Sequence, residues 1–397
     1  MQKINLKLLP YLVGGINFCV LIASDIFTPS LPSIGSFFSI SENEASKTVT
    51  LYLILMASSG LVFGPLSDQI GKRKVAGILA SFMIIGSLIS VSANNYTQLI
   101  IGRAIQGVGA SVMTICVAMM RDHIKSNSFS SAMSTVAMMH AIAPVVGPLI
   151  GGIIIIYFAW QFNFYVILAV CILVGMLIYL AFPKDEMQTL NNEEIGVKRI
   201  IHDYKLLLCN KNYVLFMLIA PLNYGVFWAD VSNMPFIIVN SMNYKPIIFS
   251  YYIMMGVSFY IIGNMINKRL VMKYSIHKIL YWGILLIIIF NILALMIRSQ
   301  TIINPLIIPL LKAGSTIGMA FVHANTNSLA LGSTRNKSGS AVSLVSFCQL
   351  AFASAFVWFT TFFFNGTIYP LLITAIVSGF LKLGLYKLTS NNQPSSA

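Results

Sequence analysis

Residues 64–75 read GPLSDQIGKRKV, a short charged segment between two long apolar runs. Residues 48–63 before it carry no charged side chain, and neither do residues 75–102 after it. A charged turn this short between apolar runs is typical of the point where a chain leaves a membrane and re-enters it, with the Lys/Arg cluster on the cytoplasmic side. The segment therefore predicts a membrane protein with a helix on each side of this turn.

The glycines and charges of this segment predict its local structure. Gly64 and Gly71 permit close helix approach or a positive φ angle. Asp68 is expected near the C-terminal end of a helix, where the macrodipole disfavours an anion. A partner such as Lys72, Arg73 or a helix N-terminus is therefore expected for it. Taken by itself, the turn is also compatible with an ordinary solvated loop.

The composition excludes an ordinary soluble domain. Hydrophobic residues make up 57% of the 397 residues and charged residues 9%, whereas about 25% of residues are charged in a typical soluble domain. A polytopic membrane protein is therefore predicted. The five cysteines form no C-x-x-C pair, so neither a disulfide framework nor a metal site is implied. No nucleotide-binding glycine loop or soluble catalytic domain is visible, so neither an enzyme nor a primary pump is predicted.

Twelve apolar runs are long enough to cross a bilayer, which takes about 20 residues. Their continuous rather than alternating apolar character favours helices over a β-barrel. The runs lie at 8–30, 46–67, 75–94, 97–120, 131–157, 162–182, 211–238, 247–267, 276–297, 302–330, 339–362 and 367–388.

The longest hydrophilic connection follows the sixth run and divides the chain into halves. The prediction is an all-α integral membrane protein with 12 transmembrane helices in two six-helix bundles. Residues 1–182 form the N-terminal bundle, 183–210 a cytoplasmic linker, 211–388 the C-terminal bundle and 389–397 a disordered tail. A faint internal repeat agrees with two halves, because Gly263–Lys273 lies where the charged turn would recur, although it lacks the Asp and the second Gly.

The distribution of basic residues predicts the orientation. With the N-terminus inside, most of the 25 basic residues lie on the cytoplasmic side, Lys382 among them, and only Lys47, Lys245 and Arg298 lie on the other side. This bias places both termini in the cytoplasm. It also accounts for the net charge of +14 without a nucleic-acid partner.

Four charged residues fall inside the predicted spans, where ionisable groups are costly and indicate function. Asp25 and Arg103 are expected at similar depth, where they can pair. One alternative is a structural salt bridge between them. In the other, the Asp25 carboxylate takes up and releases a proton as Arg103 and the substrate approach or leave. Asp230 and Lys312 repeat this arrangement in the second half. Asp230 alternatively lies at the outer aqueous surface, whereas Lys312, in mid-span, needs a cavity or a counter-ion.

Uncharged polar residues near mid-depth are candidates for a substrate cavity, together with Asp230 and Lys312. The alternative for each is a hydrogen bond between helices. His140 is also a candidate proton carrier because of its near-neutral titration. The uncharged candidates are Asn17, Gln106, His140, Asn223 and Gln349.

The fifth span is dense in glycine and proline. Gly147 and Gly151 form a small-xxx-small face for close helix contact, next to Gly152. Pro144 and Pro148 are expected to kink the helix. The span is therefore predicted to be a packing seam that flexes or seals between states.

These residues together resemble the bicyclomycin-resistance (Bcr/CflA) branch of the drug:proton antiporters, within the major facilitator superfamily. The charged turn resembles the superfamily's loop between its second and third helices, which is coupled to switching between inward- and outward-open states. The remaining matches are Gly147-Pro148 with Gly151-Gly152, Asp25 with Pro29 and Pro32, Arg103 with Gly107, Arg121-Asp122, Asn267 before Leu270, and Ser338–Ala341 with Gln349. Three departures are Gln69 and Ala143, where a basic residue and a glycine are usual, and the pair Asp230 and Lys312, which lies outside the general signature.

The resemblance implies two bundles around a central cavity and export by proton exchange. Asp25 would be the proton-linked carboxylate, Arg103 its partner, and Gly64, Asp68, Gly71, Lys72 and Arg73 the conformational gate. The expected partners are a small-molecule substrate, protons and the lipid bilayer, with no cofactor beyond the proton gradient and no nucleic acid. The protein would be a monomer in the inner membrane of a bacterium. Two alternatives are a carrier of an anionic metabolite such as a carboxylate siderophore, which the buried cations would suit, and a membrane sensor without transport.

Overall fold

The chain is almost entirely helical in a computed structural model, which describes residues 8–124, 126–181, 204–297, 304–333 and 338–390. Within these ranges there is no β-strand. The helices of the first half are α1 (Leu9–Asp25), α2 (Leu31–Phe38), α3 (Glu42–Ile70), α4 (Lys72–Val91), α5 (Tyr96–Ala110), α6 (Val112–His123), α7 (Ser126–Tyr157) and α8 (Gln161–Ala181).

The second half begins with a short helix, α9 (204–209), inside the predicted linker. A π-helical turn, Ile237–Ser241, follows the next helix, α10. The helices are α10 (Lys211–Phe236), α11 (Ile247–Leu270), α12 (Ile276–Met296), α13 (Ile307–Leu311), α14 (Ala313–Gly332), α15 (Ser338–Phe362) and α16 (Tyr369–Ser390). The last helix therefore extends two residues into the predicted tail, and residues 391–397 lie outside the described part, as do 182–203 of the linker region.

Eleven helical stretches of the described residues are long and apolar enough to cross a membrane. They correspond to all the predicted runs except that at 302–330. There the regular α-helix is interrupted at Lys312, between α13 and α14. Backbone hydrogen bonds continue through this point, because Lys312 N donates to Ile308 O and Thr316 N donates to Lys312 O.

Polar side chains start several helices at their solvated ends. At α3, Ser41 and Glu44 form a capping box, in which the Glu44 N–H donates to Ser41 Oγ at 3.3 Å and the Ser41 N–H donates to Glu44 Oε2 at 3.0 Å. Asn95 and Asn210 cap α5 and α10 in the same way, each with its side-chain oxygen on a backbone N–H. Such caps satisfy N–H groups that have no partner within the helix.

The helices fall into two compact units. The first holds α1–α8 together with Lys245–Ser250, and the second holds α9, α10, the rest of α11 and α12–α16. In the first unit, α1 packs against α7 and α4 packs against α5 and α8. In the second unit, α10 packs against α15 and α12 packs against α14 and α16, which is the same order of partners.

A pair of glycines repeats at the equivalent contact of each unit. A methyl group at Gly86 of α4 would lie 2.6 Å from the Gly102 carbonyl oxygen of α5. A methyl group at Gly318 of α14 would lie 2.5 Å from the Gly283 carbonyl oxygen of α12. Both contacts bring two backbones together in a way that only glycine allows. The internal repeat, faint in the sequence, is therefore clear in the packing.

Candidate functional site

Asp25 lies at an irregular point inside the first apolar stretch, Leu9–Phe38. The α-helix stops at this residue, a 3₁₀ turn follows at Thr28–Ser30, and Pro29 contributes no backbone donor. The side chain is 5% exposed, and Ser24 Oγ donates to Asp25 Oδ1 at 2.6 Å. Thr28 Oγ1 donates to the Asp25 carbonyl oxygen at 2.7 Å. The carboxyl group is thus buried next to backbone that is not regular helix.

Arg103 on α5 is held by neutral groups. It is 1% exposed, and its Nη1 donates to Gln106 Oε1 at 2.7 Å. Gln106 Nε2 in turn donates to Ser87 Oγ on α4 at 2.7 Å. The guanidinium carbon lies 4.0 Å from the ring centroid of Phe27 and 4.3 Å from that of Tyr52. Gln106, a candidate for the substrate cavity, therefore positions Arg103 in this structure.

The expected ion pair between Asp25 and Arg103 is not formed. Among the described residues, the ion pairs within 4 Å join Lys72 to Asp122 and Lys312 to Asp230. Phe27, two residues after Asp25, lies against the guanidinium instead. The faces of two aromatic rings and the Gln106 amide oxygen compensate the buried charge of Arg103. The Asp25 carboxyl group therefore keeps the Ser24 hydroxyl as its donor and has no cation at contact distance.

The glycine face of α7 lies against the segment that carries Asp25. A methyl group at Gly147 would lie 3.0 Å from Asp25 Cβ, and one at Gly151 would overlap the carbonyl group of Ile26. Gly152 is buried against Ser250, which belongs to the same unit. The predicted small-xxx-small contact is therefore present, and its partner is the candidate proton-binding segment. Pro144 and Pro148 lie inside the continuous helix α7.

The charged turn of residues 64–75 separates α3 from α4. Gly71 has φ = 100°, which disfavours any residue with a side chain. Lys72 Nζ lies 2.5 Å from Asp122 Oδ2, and Arg73 Nη2 donates to the Tyr179 carbonyl oxygen at 2.7 Å. The turn is thereby connected to the ends of α6 and α8, and Asp122 belongs to the Arg-Asp motif noted in the sequence.

The two remaining residues of this turn with an expectation from the sequence are Gly64 and Asp68. A methyl group at Gly64 would meet nothing within 4 Å, so of the two possibilities that a glycine permits, close helix approach is not used at this residue. The side chain of Asp68 lies outside the described residues, so its predicted partner stays a prediction.

In the second unit, Asp230 and Lys312 form an ion pair. Lys312 Nζ donates to Asp230 Oδ2, and the two side chains are 8% and 16% exposed, respectively. Tyr252 Oη on α11 also donates to Asp230 Oδ2, at 3.4 Å. Asp230 Oδ1 is buried and has no hydrogen-bond partner among the described residues. The prediction that Lys312 needs a cavity or a counter-ion is therefore met by a counter-ion, and Asp230 is partly buried.

Lys382, which was counted among the cytoplasmic basic residues, is a buried side chain in the structure. The residue is 0% exposed inside α16, and its Nζ donates to Asn223 Oδ1 on α10 at 3.3 Å. Asn223 Nδ2 donates to the Met319 carbonyl oxygen on α14 at 3.1 Å. Asn223, a candidate for the substrate cavity, thus connects three helices. Packing of α16 against α10 and α12 covers Lys382.

The other cavity candidates are separate from these clusters. Asn17 is 1% exposed, and neither of its amide atoms has a hydrogen-bond partner in the described ranges. His140 is partly buried, and its Nε2 likewise has no partner among the described residues. Gln349 Nε2 lies 3.5 Å from Asn327 Oδ1, at the limit of a hydrogen bond.

Several contributors could not be recognised in the sequence. Phe27 and Tyr52, whose rings flank Arg103, are two among the chain's 26 Phe and 17 Tyr residues. Tyr252 on α11 carries no local signal either. The position of Ser24, directly before Asp25, is the one neighbour that the sequence displays.

Comparison with known proteins gives a consistent result. The family model described as Major Facilitator Superfamily matches residues 13–357. The chain is 28% identical to a bicyclomycin resistance protein homologue of Haemophilus influenzae over 63% of each chain. It is 25% identical to multidrug resistance protein MdtL of Klebsiella pneumoniae over 84% of this chain and 83% of that protein. The chain therefore spans just under two thirds of the first relative and most of the second.

Solved structures agree on the fold. A bacterial homologue of the human lysosomal transporter Spinster, in an inward-facing and unoccupied conformation, matches with a TM-score of 0.77 at 13% identity over 100% of both chains. A D-xylose–proton symporter matches with a TM-score of 0.73 at 12% identity, over 94% of this chain and 96% of the other. At such identities the likeness concerns the fold alone.

Proposed function

Because the chain belongs to the Major Facilitator Superfamily, we propose that it exports small amphipathic compounds by alternating access, in exchange for protons. It is a multi-pass membrane transport protein rather than an enzyme, as predicted. The resemblance to the bicyclomycin-resistance branch agrees with the relatives that it matches. Their names, bicyclomycin resistance protein homologue and multidrug resistance protein, support drug efflux as the activity.

The observation that carries the proposal is the setting of Asp25. Its carboxyl group is buried in an apolar stretch, receives one side-chain hydrogen bond and has no cation within 4 Å among the described residues. Taking a carboxylate out of water costs several kcal/mol or more unless a cation or several donors compensate it. A proton bound to Asp25 removes that cost, and access to water or approach of Arg103 favours its release. Proton flow is coupled to transport if the Asp25 carboxyl group alternates between apolar surroundings, which favour the protonated form, and surroundings with water or Arg103, which favour the ionised form.

The glycine contact of α7 supports this role. Gly147 and Gly151 press on Asp25 and Ile26, so a shift of α7 relative to α1 changes the surroundings of the carboxyl group directly. The turn at Gly71–Arg73, connected to α6 by the Lys72–Asp122 ion pair, is the proposed gate. Alternating access then consists of repacking at these two places.

The proposal includes a topology. Residues 304–332, with α13 and α14, form the twelfth membrane crossing, the tenth in chain order, and the ion pair with Asp230 compensates Lys312 within it. Both termini lie in the cytoplasm, the membrane is the inner membrane of a bacterium, and the protein works as a monomer without a cofactor. Most basic residues then lie on the cytoplasmic side, as is usual.

The test is substrate-dependent proton movement in proteoliposomes with an imposed pH gradient and a pH-sensitive dye inside. Ethidium and tetraphenylphosphonium serve as probes. We expect both to elicit proton movement with the wild-type protein, and Asp25→Asn to abolish it. Glu42→Gln, which alters a carboxylate at the start of α3, is the matched control and should retain it. Normal proton movement with Asp25→Asn would refute the role of Asp25.

The second candidate is a carrier for an anionic metabolite, favoured by the burial of Lys312 and Arg103. It predicts that Lys312→Ala abolishes transport of organic anions and spares cationic and neutral drugs. The ion pair with Asp230 weighs against it, because Lys312 already has a counter-ion.

A further inference from the structure

One helix of the second unit leaves a single stripe uncovered. Between residues 215 and 238, every residue of α10 and the turn after it is buried except Leu218, Tyr224, Phe227 and Asp230. The last three follow one another at a spacing of three residues and therefore share one side of the helix. Two aromatic rings and a carboxylate thus form the open surface of a helix that is otherwise covered.

The rings of this stripe belong to a larger aromatic cluster. The ring centroid of Tyr224 lies 6.3 Å from that of Phe227 and 6.4 Å from that of Trp228. His323 of α14 stands edge-on to Tyr224 at 6.5 Å, and its Nδ1 lies 3.0 Å from Tyr260 Oη on α11. Three helices therefore contribute rings to one place.

The other end of the stripe is the Asp230 carboxylate. Lys312 and Tyr252 both donate to its Oδ2, so the ion pair is neutral and Lys312 is engaged. Within the part of the chain that the structure describes, the Oδ1 atom is a buried acceptor with no donor, which is a costly arrangement that a ligand can relieve. Asp230 lies six residues from Tyr224, which corresponds to about 9 Å along the helix axis.

We propose that this surface is a substrate site for compounds that carry an aromatic ring and, about 9 Å from it, a cationic hydrogen-bond donor such as an ammonium group. The ring packs on Tyr224 and Phe227, and the nitrogen donates to Asp230 Oδ1 after a rotation of the carboxylate towards the open stripe. This inference rests on the proposed export function and specifies its substrate class.

The chemistry of the cluster favours cations over anions in two ways. The faces of Tyr and Trp rings attract cations, and the unfilled atom of the ion pair, Asp230 Oδ1, is an acceptor; the buried Trp228 Nε1 of the cluster is an unfilled donor among the described residues but carries no charge. A carboxylate ligand would have to separate Lys312 from Asp230 and leave that carboxylate buried without its cation. The charge of Lys312 alone suggests an anionic substrate, but its ion pair with Asp230 disfavours binding of one.

The test measures equilibrium binding to the purified protein in detergent, without any gradient. Three probes share a naphthyl ring and a six-carbon chain, which ends in an ammonium, a hydroxyl or a carboxylate group. We expect the wild-type protein to bind the ammonium probe at least tenfold more tightly than the carboxylate probe, a difference of about 1.4 kcal/mol. Asp230→Asn should reverse the preference, because Lys312 is then left without its counter-ion.

Two further variants keep the test decisive. The double variant Asp230→Asn/Lys312→Met leaves no buried charge unpaired, and it should bind the ammonium and carboxylate probes within about threefold of each other, since both electrostatic terms are removed. Phe227→Leu should weaken all three probes alike, whereas Phe216→Leu, on a covered side of α10, should not. Equal binding of the two charged probes by the wild type, or a persistent ammonium preference in the double variant, would overturn the proposal.

The outcome separates this inference from the proton-exchange proposal. The binding measurement needs no proton gradient, and proton movement with Asp25→Asn does not depend on Asp230. An ammonium preference together with intact proton movement in Asp25→Asn would reject only the exchange proposal. The opposite pair of results would reject only the site proposed here.

Discussion

The contact of Gly151 with the Asp25 segment gives the sharpest prediction about the first unit. A methyl group at Gly151 would overlap the Ile26 carbonyl oxygen and lie 2.8 Å from the carbonyl carbon. A carbon atom and an oxygen atom in contact are about 3.3 Å apart, far more than the overlap with the Ile26 oxygen allows, so in Gly151→Ala the helices α1 and α7 must separate by about 1.5 Å. The obstacle is backbone, which cannot rotate aside as a long side chain can.

The magnitude follows from this geometry. Overpacking costs about 1–3 kcal/mol, and a rigid backbone obstacle belongs at the upper end. Replacing glycine by alanine inside a helix returns about 0.8–1.0 kcal/mol. We therefore expect a net loss of about 2 kcal/mol in the free energy of unfolding, or a decrease in melting temperature of about 4–8 °C for a unit of this size.

The functional effect should exceed the loss of stability. Gly147, one turn before Gly151, contacts Asp25 directly, so separating the helices loosens the surroundings of the carboxyl group. Substrate-dependent proton movement in proteoliposomes should fall at least about tenfold, because misplacement by about 1 Å commonly has an effect of that order or more. The assay compares this rate and thermal unfolding for the same preparation.

The matched control is Gly15→Ala on α1. A methyl group there would meet nothing within 4 Å, so only the favourable helix propensity remains. If Gly151→Ala unfolds at the same temperature and moves protons at the same rate as Gly15→Ala, the proposed packing of α7 on Asp25 is incorrect.

Three other predictions concern the gate and the second unit. Reversing the charges in Lys72→Asp/Asp122→Lys should restore most of the transport that either single variant loses, with little change in stability, because an exposed ion pair contributes about 0–1 kcal/mol; failure of the double variant in a transport assay would contradict a pairing role. Asn223→Leu should lower the free energy of unfolding by about 1–3 kcal/mol, because it leaves the buried Lys382 without its amide partner; an unchanged thermal or denaturant midpoint would contradict the bridge. Lys382→Met should leave that midpoint unchanged or raised, because it removes a buried cation that has only a neutral partner, and a large decrease would show that the charge itself is needed.

The sequence was sufficient where the physics is local. Continuous apolar runs predict helices in lipid because backbone groups there must be satisfied within the helix. The turn at Gly71 was equally readable, since a glycine between two apolar helices permits the positive φ that the structure shows. The contact of Gly147 and Gly151 followed from their spacing, although the sequence did not indicate which helix they touch.

The polar network is a different matter, because its partners are far apart in the chain. Arg103 and Asp25 were expected to pair from their charges and depth. In the folded unit the cation is instead met by Gln106 and by the rings of Phe27 and Tyr52. Such a choice depends on which side chain fills the few ångströms around the guanidinium, and no pattern along the chain records that.

The buried lysines of the second unit also show the difference between what the sequence predicts and what packing decides. Hydropathy identified Lys312 as a charge inside a span, but only packing of α10 and α14 gave it Asp230 as a counter-ion and left Oδ1 of that carboxylate unfilled. The sequence placed Lys382 with the cytoplasmic cations, whereas the structure buries it between α10 and α16, where it donates to Asn223. The sequence by itself determined the class of protein and the positions of its helices, since one residue's affinity for lipid or water depends on its own chemistry. Only the tertiary structure decided which buried charges are compensated. Compensation acts over a few ångströms, and it joins residues on helices that are far apart in the sequence.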